Sequence, residues 1–179
     1  MIYLIGGPIR TGKSNLANKI LKNKQISVIS TDVIIGLLKD YLKKDFNDPR
    51  PNFIQKAENF YPHLKELIKA NLILGNNDYV YEGDIILPEQ TNALSKEFDI
   101  KVCFLGFSNI SVDVLKQYIG DHKWLDELSE DELTQLPQKI IDTSKFIEEG
   151  CKKYNLNYFD LSTDYDKGHE LAYQYLTEE

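Results

Sequence analysis

One run in this 179-residue chain has the residue types and spacing to do chemistry: Gly7-Pro8-Ile9-Arg10-Thr11-Gly12-Lys13-Ser14. It fits G-x-x-x-x-G-K-[ST]. Glycines let the backbone curl so that its N–H groups face phosphates. Lys13 is placed to reach a β- or γ-phosphate and to stabilise a transferring phosphoryl group. The Ser14 hydroxyl suits Mg²⁺, and a helix that follows would aim its positive end at the anion. The product of residue frequencies, with 10 Gly, 19 Lys and 16 Ser plus Thr, gives a chance match of roughly 0.5%. All eight residues are expected to bind a nucleoside triphosphate with Mg²⁺. Arg10, inside the loop, faces either solvent or the transferring phosphate; the second placement would make it catalytic with Lys13.

Four further residues could act on an acceptor: Asp32, Arg50, Glu82 and Asp84. Asp32 ends a strand-like run, where the strand ends of a parallel sheet converge on a ligand crevice. A carboxylate there could take the proton of an acceptor hydroxyl. Thr31-Asp32 is equally a good helix N-cap, and from the residues alone the two roles stand level. Glu82 and Asp84 alternate, so on an extended strand they point the same way. One of them, with Glu82 favoured, could hold Mg²⁺ beside Ser14 or bind acceptor hydroxyls. Charged residues also commonly mark a strand's exit to solvent. Gly83 between them serves either a ligand's close approach or a turn. Arg50, between Pro49 and Pro51, either reaches substrate or is a solvated loop arginine. Lys116 and Lys123 are the later cations placed near a lid; His122 and Trp124 either stack on a ligand or pack structurally.

Strands and helices must alternate to position these groups. Apolar runs predict strands at Ile2–Ile5, Ile26–Ser30, Tyr79–Tyr81, Ile100–Phe107 and Asn157–Leu161. Helical spacing predicts helices over 14–22, 33–42, 52–74, 88–98, 112–119, 138–154 and 164–176, with Pro62 a kink or split. The acidic stretch 121–136 reads as a solvated face. Several strands are apolar on both faces, which implies a parallel sheet covered on both sides. The whole chain, 1–179, reads as one domain. Segments 33–75 and 110–150 are helical inserts suited to acceptor binding and to a lid.

Composition narrows the partners. Acidic residues outnumber basic ones 28 to 21, a net charge of −7, which argues against a general nucleic-acid binder. Only Arg10 and Arg50 are arginines, so an arginine-rich grip on a second phosphate is missing. Cys103 and Cys151 form no CxxC or Cys/His motif and read as reduced thiols. No run approaches 18 apolar residues, and the start lacks a signal-peptide pattern. A cytoplasmic protein with no membrane segment is the expectation.

On the phosphate loop, Ser30-Thr31-Asp32 and Glu82-Gly83-Asp84, the chain resembles the small P-loop kinases, the nucleotide- and metabolite-kinase group with the adenylate kinase fold. Ser-Thr-Asp is similar to gluconate kinase-like, chloramphenicol phosphotransferase-like and zeta-toxin-like enzymes. Glu82-Gly83 is similar to 2-phosphoglycerate kinase-like proteins. The resemblance implies a three-layer α/β/α sandwich with a five-stranded parallel sheet of order 2-3-1-4-5. It implies ATP in preference to GTP, Mg²⁺, and a small-molecule phosphoryl acceptor, with Asp32 as base. One departure stands out: no arginine follows Arg50, whereas nucleotide kinases surround the acceptor phosphate with them. A hydroxyl acceptor, neutral or cationic, fits better than a nucleoside or nucleotide, the alternative. A regulatory or toxin-like nucleotide-binding protein with little transfer is the third reading.

Overall fold

A computed structural model describes residues 1–42, 53–75, 78–117 and 128–178. Arg50, His122, Lys123 and Trp124 lie outside the described residues, as does the side chain of Lys116. The elements are β1 (Ile2–Gly6), α1 (Lys13–Lys24), β2 (Ser27–Ser30), α2 (Thr31–Leu42), α3 (Phe53–Leu74) and β3 (Tyr79–Glu82). They continue with α4 (Pro88–Leu94), β4 (Ile100–Gly106), α5 (Val112–Gln117), α6 (Glu130–Tyr154), β5 (Asn157–Asp160) and α7 (Tyr165–Thr177).

The five strands form one sheet of order β2-β3-β1-β4-β5. Every neighbour pair is parallel, with Ile5 beside Glu82 and Cys103, and Ser30 beside Glu82. The sheet and its order are those the sequence implied. Because successive side chains alternate between faces, β1 supplies both layers of core. Ile2 and Leu4 join Tyr81, Phe104, Phe60, Leu64 and Ile68 on one face. Ile5 joins Val80, Cys103, Leu105, Leu16 and Ala172 on the other. Burying each of these aliphatic side chains contributes about 1.5–3 kcal/mol.

Two helices differ from expectation. Of the acidic stretch 121–136, residues 121–127 lie outside the described residues, and Glu130, Asp131 and Glu132 are exposed, as a solvated face requires. From Glu130 the chain is already helical, eight residues before the expected start at 138. Ser129 caps that helix and forms a capping box with Glu132, and Glu130, Asp131 and Glu132 fill the first turn. Acidic residues there suit the positive helix end. Pro137 lies within α6, and Pro62 within α3, without ending either helix. Leu136, Ile140, Ser144 and Ile147 bury α6 against the body of the domain.

Candidate functional site

The loop Gly7–Ser14 leaves the end of β1, between β3 and β4, and runs into α1. Gly7 has φ +140°, and a side chain there would strike the Leu105 carbonyl. Gly12 has φ +74°, and a side chain there would collide with Tyr165 and His169 of α7. Both glycines are therefore demanded by backbone conformation and by close approach. The Thr11 hydroxyl donates to the Pro8 carbonyl at 2.9 Å, and His169 Nε2 lies 2.9 Å from the Thr11 carbonyl, in position to donate to it. Burial pulls the imidazole's pKa down, toward the neutral form. Tyr165 and His169 are functional supports that the sequence reading missed. No local pattern marks them, because they meet the loop from more than 150 residues away.

Lys13 is buried, and its ammonium donates to the Pro8 carbonyl at 2.8 Å. Burial lowers its pKa, while Asp84, Glu82 and Asp32 work in the opposite direction. The four charges thus share one field at the ends of β1, β2 and β3. Asp32 occupies the first turn of α2, which begins at Thr31 with no break after β2. Although the residue is exposed at the crevice, protein atoms around its carboxyl desolvate it, and Asp84 and Glu82 repel its charge. Against the pull of Lys13, these push its pKa up to about 6.

Glu82 and Asp84 line different hollows, although both act on Lys13 and Asp32. The strand ends at Glu82, so the alternation that would align them stops there. Glu82 is buried and lines a groove with Ser14, Ser30 and Val33. Asp84 instead lines a hollow of about 160 Å³ with Pro8, Ile9, Phe53, Lys139 and Thr143. Gly83 makes room for a side chain of the protein: a Cβ there would collide with the Thr31 hydroxyl. That hydroxyl is buried and meets no hydrogen-bond partner among the described residues. Lys139, on α6, is a cation lining this hollow that the sequence reading did not single out.

Arg10 has φ +68°, and its guanidinium reaches toward the Leu115 carbonyl at 3.4 Å and feels the Tyr165 hydroxyl. Among the described residues, its surroundings are α5 and α7, not the cluster around Asp32. Its backbone is left-handed, and the side chain runs toward α5 and α7.

On that side, the ends of β4 and β5 enclose a hollow of about 400 Å³. Phe107, Asn109, Val114, Ser162, Thr163 and Tyr165 are among its walls. The Ser108 and Ser162 N–H groups donate to Asp160 Oδ1, and the Asn109 N–H donates to Ser162 Oγ at 2.9 Å. These bonds hold the two loops together. Phe107 and Tyr165 stack with planes 13° apart.

Mg²⁺ characteristically keeps waters and substrate phosphates and takes only one or two protein ligands. Ser14 and Glu82 on one groove fit that donor set. Among the described residues no group of three or more His, Cys, Asp or Glu side chains forms a cage. No described helix is long and apolar enough to cross a membrane.

No family model matches the sequence, and no curated protein matches it either. Solved structures do match in shape. A shikimate kinase from Bacteroides thetaiotaomicron superposes with a TM-score of 0.61 at 15% identity, covering 100% of this chain and 99% of that one. A gluconokinase from Sinorhizobium meliloti 1021 gives 0.58 at 14% identity, covering 98% and 90%. A shikimate kinase from Acinetobacter baumannii, in complex with shikimate, gives 0.58 at 11% identity, covering 99% and 94%. The chain has the P-loop kinase fold. Within that fold, the loop Gly7–Ser14 stands at the junction where the strand order reverses around β1, the place where open α/β sheets bind ligands.

Proposed function

We propose that this P-loop protein transfers the γ-phosphoryl group of ATP, with Mg²⁺, to a hydroxyl of a small molecule. The observation that carries the reading is the convergence of Lys13, Asp32, Glu82 and Asp84 on one field beside the phosphate loop. Three carboxylates against one ammonium make a poor site for a bare triphosphate. A divalent cation would supply the positive charge that reconciles them. Ser14 and Glu82 would hold that cation. The backbone N–H groups of Gly7–Ser14 would bind the phosphates. The aromatic pair Phe107–Tyr165 and the loop Ser162-Thr163-Asp164 would receive the base.

Asp32 in its ionised form accepts the acceptor's hydroxyl proton as the oxygen attacks γ-phosphorus. The bond from γ-phosphorus to the β,γ-bridging oxygen breaks, and ADP leaves. Lys13 holds the charge that accumulates on the transferring group. The acceptor-side hollow is small, about 160 Å³, roughly five waters at ~30 Å³ each. It offers Asp84 and Lys139 as opposite charges, a match for a neutral or zwitterionic polyhydroxyl molecule. Among the described residues a second phosphate would find one lysine there and no bidentate fork.

A scan of acceptors coupled to ADP release tests this reading. Polyols, amino alcohols and sugar acids should stimulate release, and Asp32→Asn should lower kcat at least ~100-fold with ATP affinity retained. Stimulation only by nucleotides would favour the nucleotide-kinase reading. Tight ATP binding with no acceptor at all would favour a regulatory protein.

A further inference from the structure

A cavity of about 500 Å³ opens between α3, α4 and α6, on the sheet face carrying the Phe60–Leu64–Ile68 core. It lies within the range of small-molecule sites, ~300–1,000 Å³. It shares no lining residue with the phosphate-side hollows. A wall divides it from the acceptor side. Phe146, in the cavity, packs edge-on against Phe53, which lines the acceptor-side hollow, with centroids 5.2 Å apart and planes at 86°.

The cavity is not slack packing. At its margin α6 and α4 touch so closely that a Cβ on Gly150 would lie 2.9 Å from Pro88 Cγ. Ile54, Tyr61, Leu87 and Phe146 give the walls an apolar and aromatic character. The charged lining residues are Glu58, Glu89 and Glu149 against Lys153 alone. Among the described residues none of these three carboxylates stands in an ion pair. Lys153 rests its ammonium over the Tyr154 ring, 4.8 Å from the centroid. An ammonium on an aromatic face is therefore already realised at this margin.

We propose that this cavity binds a small organic cation with an apolar body, at a site separate from the phosphate crevice. The aromatic and aliphatic walls take the body. The carboxylate excess of Glu58, Glu89 and Glu149 takes its ammonium.

Three probes of one shape test it by calorimetry and ligand-observed NMR: 3-phenylpropylamine, 3-phenylpropanol and 3-phenylpropionate, each with and without saturating ATP and Mg²⁺. The amine should bind saturably, with at least a ~10-fold advantage over the carboxylate and no change on adding ATP. Ala93→Trp, which fills the cavity, should abolish binding while ATP affinity, the control for folding, stays. The surface pair Glu89→Gln and Glu149→Gln should weaken the amine ~5-fold or more and leave the alcohol unaffected. No amine binding up to ~10 mM, equal affinity for amine and carboxylate, or binding that survives Ala93→Trp would each overturn the proposal. Displacement by ATP would overturn it too, by placing the probe in the phosphate crevice. None of these readouts needs phosphoryl transfer, so the failure of the proposed activity would leave the result standing.

Discussion

Asp32 titrates where a working base should. Burial and the carboxylates of Asp84 and Glu82 hold its pKa near 6, so it is protonated below that pH and ionised above it. A base must be ionised to accept a proton, so the rate falls on the acid side. The profile of kcat/KM, which reports the free enzyme, should rise up to about pH 6 and then level. Asp32→Asn should remove that limb from whatever residual activity remains. His169 acts differently, through the loop it braces. Removing its hydrogen bond to the Thr11 carbonyl should cost about 1 kcal/mol, roughly fivefold in ATP affinity. His169→Ala measured by calorimetry checks this, and His169→Gln, which keeps a donor, should recover part of the loss. Gly12 binds the same contact from the other side, since any side chain there would occupy the space of Tyr165 and His169.

Among the elements, α6 links regions far apart in the chain. Its first half lines the acceptor side with Lys139 and Thr143, and its second half walls the cavity with Phe146 and Gly150. Its start is set by the Ser129 capping box. Ser129→Ala should destabilise the domain by about 1 kcal/mol, a drop of roughly 2–4 °C in Tm, readable in a thermal melt. The β4 and β5 loops are joined by Asp160. Burial opposes its charge, but hydrogen bonds from Ser108 and Ser162 prevail and hold its carboxyl below the ordinary range. A carboxyl depressed in the folded state stabilises it above the unfolded pKa, and that stability is lost as pH falls through the folded value. Asp160→Asn should therefore flatten the loss of stability below about pH 4, seen as a shallower dependence of Tm on pH than in the parent protein.

For the molecule as a whole, the two cores on either face of one sheet decide stability. Leu4 is fully buried in β1 and Ile73 is 83% exposed on α3. Leu4→Ala should cost about 2–5 kcal/mol, whereas Ile73→Ser should stay within ~0.5 kcal/mol. Urea titrations of the two variants make the comparison. Neither change touches the phosphate loop, so ATP affinity per folded molecule should not move.

How much of this was written along the chain differs by feature. The phosphate loop was legible because its eight residues are contiguous and its chemistry is carried by backbone and local side chains. The strands were legible because a doubly covered parallel sheet needs apolar runs, and the resemblance to P-loop kinases supplied their order. The start of α6 was not read, since Pro137 and the acidic charge masked a capping signal at Ser129. What only the tertiary structure decided is which distant residues share a space. It placed Tyr165 and His169 against Gly12 and Lys139 beside Asp84. It parted Glu82 from Asp84 where the strand stops, and it turned Arg10 toward α5 and α7. Each of these depends on how helices seat on the sheet, which is set by side-chain volume and packing across the core. Spacing along the sequence does not encode that. The sequence alone determined a phosphate-loop motif built on glycines, Lys13 and Ser14. The tertiary structure determined which charges surround it.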